Sequence, residues 1–443
     1  MKPGQARVAL ALLLFPAPLL AQSLSVGEAA RLVAERHPAA AGAQAAVARA
    51  ESGVQEFEAA RLPMLTTDAS LTRYYLPMIV APLHGLNVVR PPEFNRTLIQ
   101  AHVGASYTLF DGGARGARIE RAEALVGAAE ANEAGVRNRL LTDGVRAYLR
   151  VLTAREVQSA QERRVNALTG ERTRADQIFR EGRAARLLLT RAEAALSAAS
   201  ADATTGRAEV EVAERDLARL TRLDLARILR DTLRPVRLAS PALPGREEAL
   251  ARAREANPDL VRLRRQLAAA ERGRAEARAL WLPRINLNGR YIEFASVDGA
   301  TDPEWQAGAF FSYPLFTGGS RAAAADRASA EIALARADLN GAELRIAEAV
   351  DRAFSAHEAA RARADALRAA VTQAEEVARI ERLALEAGSG VQSDYISAEA
   401  ELFRVRAALT DATYAQVLAR VELAGITGEI SPDWIARNLE SGS

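Results

Sequence analysis

Two kinds of periodicity follow one another along the chain, and each occurs twice. In Ile99, Ala101, Val103, Ala105, Tyr107 and Leu109 every second position is apolar, while Gln100, His102, Gly104, Ser106 and Thr108 hold the positions between. Trp305, Ala307, Ala309, Phe311, Tyr313 and Leu315 repeat the pattern, with Gln306, Gly308 and Ser312 opposite. Alternation at period two predicts a strand with one apolar and one wetter face. Residues 65–71 and 285–291 alternate more weakly, so each half of the chain predicts one β-hairpin, with loops at 76–93 and 296–302.

The remaining sequence is helix-forming. Residues 24–61 and 247–280 are rich in Ala, Glu and Arg, and Pro63 and Pro283 end each stretch. After Gly112-Gly113 and Gly318-Gly319 a helical composition runs without proline as far as Gly182 and Gly388. About 69 residues at ~1.5 Å each give a rod of roughly 100 Å, too long for a compact globule. Leu141, Val145, Tyr148 and Leu152 follow the spacing of a coiled-coil seam, and Phe354 takes the position matching Tyr148. Beyond each glycine a helix runs back, over 187–223 and 395–423.

The order helix, hairpin, long helical hairpin is a tandem duplication. At an offset of 220, Glu28 aligns with Glu248, Pro38 with Pro258, Gly53 with Gly273 and Leu62-Pro63 with Leu282-Pro283. Past the hairpins the offset is 206, pairing Ser106-Tyr107 with Ser312-Tyr313, Leu109-Phe110 with Leu315-Phe316 and Gly182 with Gly388. The difference falls between the strands of a hairpin, where an exposed loop tolerates insertion. The expected organisation is a leader at 1–23, a first repeat at 24–235 (hairpin 63–110, helical hairpin 113–223) and a linker at 236–246 with Pro241 and Pro244. A second repeat follows at 247–425 (hairpin 283–316, helical hairpin 319–423), then a tail at 426–443.

Composition narrows the possible functions. Lys2 and Arg7 precede an uncharged apolar run from Val8 to Leu20, the pattern of a secretory leader too short to span a bilayer. Without those two cations, the 58 basic residues become 56 against 56 acidic ones, so a nucleic-acid binder is not expected. With no cysteine, thiol catalysis, disulfides and a lipoprotein anchor are excluded. His37, His84, His102 and His357 are scattered, and no lysine follows Lys2, so neither a zinc-protease helix nor a Walker loop exists. The sequence therefore predicts no enzyme, cofactor or metal site.

Four strands are too few to close a barrel, and an open sheet in lipid leaves backbone groups unpaired at several kcal/mol each. Three chains would supply twelve strands, within the outer-membrane range. Tyr74, Tyr75, Tyr291, Trp305, Phe311 and Tyr313 lie where an interfacial girdle would sit, or alternatively fill the core of a soluble sheet. The rival to a membrane channel is a secreted coiled-coil adaptor or scaffold.

The duplicated His37-Pro38 and Asn257-Pro258, Leu62-Pro63 and Leu282-Pro283, and aromatic-x-Leu-Phe-x-Gly-Gly at 107–113 and 313–319 resemble the TolC family of outer-membrane efflux proteins over essentially the whole mature chain. The resemblance implies a mainly α fold with a small membrane β-barrel part, assembled as a homotrimer. A 12-stranded β-barrel in the outer-membrane lipid would continue into an α-helical barrel across the periplasm. It further implies an exit duct for efflux or type I secretion, fed by an inner-membrane transporter through a periplasmic adaptor (membrane fusion protein).

Three groups of candidate site residues follow. Gly112, Gly113, Gly318 and Gly319 are expected to switch strand into helix. Gly182, Arg183, Arg186, Gly388 and Gly390 are expected to form the tips that meet the adaptor. The resemblance also implies a pore gate at Asp394, six residues past Gly388, although Ser397, Gly390 and Leu188 depart from the family's acidic and basic pattern there. Asp394 with Ser393 could instead cap the returning helix.

Overall fold

The computed structural model describes residues 23–82, 89, 91–183, 185–230, 233–240, 242–387 and 389–441. The expected leader, the apex of the 76–93 loop and Gly388 lie outside the described residues. Helices α1 (Val26–Arg36) and α2 (Pro38–Ala59) lead into strands β1 (Met64–Ile79) and β2 (Phe94–Phe110), then the rod α3 (Ala114–Arg180) and its return α4 (Arg186–Thr221). A short α5 (Leu225–Arg230) and β3 (Val236–Leu238) connect to the second copy. That copy comprises α6 (Arg246–Ala256), α7 (Pro258–Ala279), β4 (Arg284–Ser296), β5 (Thr301–Ser312), the rod α8 (Ser320–Glu386) and its return α9 (Gln392–Ile426). The chain closes with α10 (Pro432–Asn438) and β6 (Leu439–Ser441). Among the described residues no helix is long and apolar enough to cross a membrane.

The helices expected to run unbroken over 24–61 and 247–280 are each two helices. His37 and Asn257 adopt extended backbone before Pro38 and Pro258, because the proline ring crowds the preceding residue out of the helical region. Each then caps the next helix: His37 Nδ1 accepts from the Ala39 N–H at 3.2 Å, and Asn257 Oδ1 from those of Asp259 and Leu260 at 3.0 and 3.2 Å. Asn257 also donates to the Ile426 carbonyl at 2.9 Å, tying this break to the end of α9.

Both rods are 67 residues long, roughly 100 Å at ~1.5 Å per residue. Their seams are largely alanine: Ala192, Ala199, Ala203 and Ala213 are buried on α4, and Ala353, Ala360, Ala364 and Ala378 on α8. Small side chains let long helices approach closely, so burial is spread along each rod rather than gathered in one core.

A larger core forms near the middle of the molecule. Leu141, Val145 and Tyr148 of α3 pack there with Leu24, Val26, Leu217, Ile228, Trp434 and Ile435. The Tyr148 hydroxyl accepts from the Arg234 N–H at 2.8 Å and lies 2.8 Å from the Leu24 carbonyl, to which it donates. Phe354, its counterpart, sits instead in a smaller cluster with Ala249, Val350 and Leu423, under the guanidinium of Arg246. The linker and tail are structural as well as connecting. β3 pairs antiparallel with β6, Val236 opposite Ser441 and Leu238 opposite Leu439.

The four long strands form one antiparallel sheet in the order β1-β2-β4-β5. The first hairpin extends farther than the alternation suggested, since β1 continues through Leu76 to Ile79 across an irregularity after Arg73. β5 stops at Ser312, short of the expected Leu315, because Pro314 has no N–H to give a ladder.

Candidate channel wall, junctions and tips

Cross-strand partners in an antiparallel sheet share a face. Leu65 opposes Ala105, Val103 opposes Tyr291, Tyr291 opposes Trp305 and Ile285 opposes Phe311, so the apolar sets of all four strands lie on one side. This side is uncovered: Leu65 is 74% exposed, Leu71 70%, Trp305 76% and Phe311 70%. The aromatics therefore do not fill the core of a soluble sheet. The opposite side carries Thr66, Asp68, His102, Ser106, Asn288, Arg290, Gln306 and Glu304, with His102 Nε2 2.8 Å from Asp68 Oδ2. Strands of 16, 17, 13 and 12 residues all exceed the ~9–11 a tilted strand needs to cross a bilayer. The outer edges of β1 and β5 have no strand partner among the described residues.

At the junctions, Gly112, Gly113, Gly318 and Gly319 all have positive φ, 71°, 88°, 59° and 83°. A Cβ at Gly112 would also lie 2.7 Å from Leu282 Cβ and 2.9 Å from the Ala279 carbonyl oxygen, so this glycine seats the first repeat on the second. Asp111 supplies the missing cap, its carboxylate accepting from the N–H groups of Gly113 and Arg115 at 3.1 and 2.9 Å. The arginine two residues after each glycine pair folds back over the tyrosine of its repeat: Arg115 stands 5.6 Å from the ring centre of Tyr107 in β2, and Arg321 5.7 Å from that of Tyr313 just past β5. Arg321 is the more buried, also facing Trp281 at 5.1 Å and donating to the Pro314 carbonyl. The sequence held a signal for this pair, an arginine and a tyrosine both repeating at the 206 offset, but arginine stacking has no local periodicity to reveal it.

The tips separate into distinct local roles. Gly182 has φ of 72° and follows α3. Arg183 is exposed yet engaged, its guanidinium 3.1 Å from Glu181, whose carboxyl is held below the usual range by hydrogen bonds from Gln177 and Arg183. Arg186 opens α4, exposed and without an acid partner among the described residues. Gly390 is a close-approach glycine, since a Cβ there would lie 2.8 Å from the Leu385 nitrogen, and its N–H bonds the Ala384 carbonyl at 2.9 Å.

Asp394 lies exposed in the first turn of α9. The N-cap position belongs to Val391, with no side-chain cap, and among the described residues the Asp394 carboxylate accepts from the Ser393 hydroxyl at 3.3 Å. Asp394 thus interacts with the helix as a charge in its first turn and not as its cap.

A lipid-like apolar sheet face, a polar opposite face, free sheet edges and two ~100 Å rods define a channel-forming transport protein of the outer membrane that reaches into the periplasm. The chain belongs to the outer membrane efflux protein family, which it matches over residues 29–221 and 249–429. It is 24% identical over 369 residues to the outer membrane efflux protein BepC of Brucella suis, covering 81% of this chain and 78% of that one. Its fold is that of the CmeC outer membrane channel of Campylobacter jejuni, with TM-score 0.78, 16% identity, and 91% and 85% of the two chains covered. The outer membrane protein VceC of Vibrio cholerae gives TM-score 0.75 and 20% identity, with 91% and 96% covered.

Proposed function

We propose that three copies of this chain close into a 12-stranded barrel in the outer membrane and a helical barrel beneath it. The assembly is the exit duct through which an inner-membrane transporter, joined by a periplasmic adaptor, expels its substrate. The helical tips around Gly182, Arg186 and Gly390 are the adaptor's contact, where Arg186 offers an exposed cation beside the exposed Leu187 and Leu188. Asp394, carried on the same ends of the rods, is the candidate gate.

The observation that carries this reading is the relation between the two free edges. Inside the chain, β2 pairs with β4, Val103 opposite Tyr291. The internal duplication converts β2 into β5 and β4 into β1, so the same contact between copies joins β5 of one chain to β1 of the next. Applying the two offsets to Val103 and Tyr291 places Ala309 opposite Leu71 of the neighbouring copy. Closure by this register satisfies both edges at once, which the absence of water in lipid demands.

Because the chain has no cysteine, the double variant A309C/L71C provides a clean test. Oxidation of outer membranes should yield a covalent trimer by denaturing electrophoresis, and each single variant none. A protein recovered in the soluble periplasmic fraction, or a ladder of open-ended oligomers, would contradict the closed duct.

A further inference from the structure

On the polar face of the sheet, the wall contains a hollow of about 340 Å³ beside Arg290. Thr66, Gly104, Arg290 and Gln306 lie across it in one line of cross-strand partners, and Ser106, Asn288 and Gly308 in the next. Gly104 and Gly308 contribute no side chain, and this leaves the depression. The Phe310 ring bends over one of these gaps, its Cε2 3.5 Å from where a Cβ on Gly308 would stand, and the residue remains 57% exposed.

We propose that this hollow is a binding station for amphiphilic organic anions, above all small aromatic carboxylates. The proposal rests on the barrel closing with its polar face inward, as set out above. Arg290 receives the carboxylate and Phe310 the apolar body.

Three features favour that ligand class. First, Arg290 has no carboxylate partner among the described residues, whereas arginines between the helices find one, as in Arg118 of α3 with Glu276 at 2.6 Å and Arg272 of α7 with Glu120 at 2.7 Å. Second, of the acids on this face, Asp68 is held by His102 and Glu304, diagonally across from Arg290 on β5, is engaged with another group, so neither is free to compete for Arg290. Third, a guanidinium offers a planar fork that matches a carboxylate with two parallel hydrogen bonds, and an exposed aromatic ring beside it stacks on a flat apolar body. Asn288, Gln306, Ser106 and Thr66 add amides and hydroxyls around the anion. The volume is at the small end for ligand sites, suited to a single-ring compound. A station open to the lumen binds weakly, which a passage requires, since solute must leave as readily as it enters.

Single-channel recording of the purified full-length assembly in planar bilayers tests this, comparing sodium benzoate with sodium acetate at constant ionic strength. Benzoate should reduce the current at concentrations where acetate does not. Arg290→Gln should raise the half-blocking benzoate concentration by about tenfold, the loss expected for a charge-assisted pair. Arg290→Lys should recover only part of the block, and Phe310→Ala should make benzoate behave like acetate. Arg284, on the same face of β4 but outside the hollow, is the control. Equal block in wild type and Arg290→Gln, or equal weakening by Arg284→Gln, would overturn the station in favour of diffuse lumen charge or none. A conducting channel indifferent to benzoate sinks the station alone; failure of the wild-type protein to conduct at all sinks the duct reading and the station with it.

Discussion

The guanidinium of Arg321 lies 5.1 Å from the ring centre of Trp281, joining the first turn of α8 to the turn between α7 and β4. Because the same guanidinium faces Tyr313 and reaches the Pro314 carbonyl, one buried cation fastens both ends of the second hairpin to its helices. Arg321→Ala should lower stability by about 1–2 kcal/mol, through lost cation–π contact and an unpaired carbonyl. Arg321→Lys should recover less than half, lacking the planar group that stacks. Thermal melts in detergent measure both, and a lysine variant matching wild type would discount the stacking.

The paired glycines of the first junction should differ. Gly113→Ala meets open space and incurs only the left-handed backbone, about 1 kcal/mol. Gly112→Ala adds a clash with Leu282 and the Ala279 carbonyl and should cost about 2–4 kcal/mol. Yield of folded assembly is the readout, and equal yields for the two variants would contradict the seating of one repeat on the other.

His357 is only 2% exposed between α8 and α9, its Nε2 3.4 Å from Gln416 Nε2. Burial first, then the nearby Arg420 guanidinium, hold its pKa below the ordinary imidazole value, with Arg361 opposing protonation and Glu358 favouring it. The unfolded chain takes up this proton near pH ~6.5 while the folded chain does so only at lower pH. Between those values the unfolded state binds more protons, so stability should fall as pH drops below ~6.5. His357→Gln should flatten that part of the curve in denaturant titrations at stepped pH; an unchanged slope would remove His357 as its source.

Asp394 separates two electrical outcomes. If three copies gather it at a constriction of the pore, Asp394→Asn should reduce cation selectivity or raise single-channel conductance, because a ring of carboxylates focuses field on passing ions. If it acts only on the first turn of α9, the substitution should leave both unchanged and lower stability by about 0.3–1 kcal/mol.

The sequence by itself determined whatever depends on neighbours within a few residues. The period-two runs mark the strands, the absence of proline marks the rods, and the glycine pairs mark positions whose backbone other residues adopt only with strain. The duplication was legible too, because both copies keep the same residue types at fixed offsets. Even the breaks at His37 and Asn257 were present as residue–proline pairs, though the helix-forming composition on both sides concealed them.

Tertiary structure alone decided which edges meet. Nothing local tells β2 to pair with β4, or β6 of the tail to complete β3, since those hydrogen bonds join residues far apart in sequence and any free edge offers the same backbone groups. The fold likewise gives Arg290 no carboxylate partner among the described residues while setting Glu276 against Arg118, and it places Val391 rather than Asp394 at the helix cap. Local sequence fixes the conformation of a segment, but the partner of a charge or a strand edge depends on what the rest of the chain brings within a few ångströms.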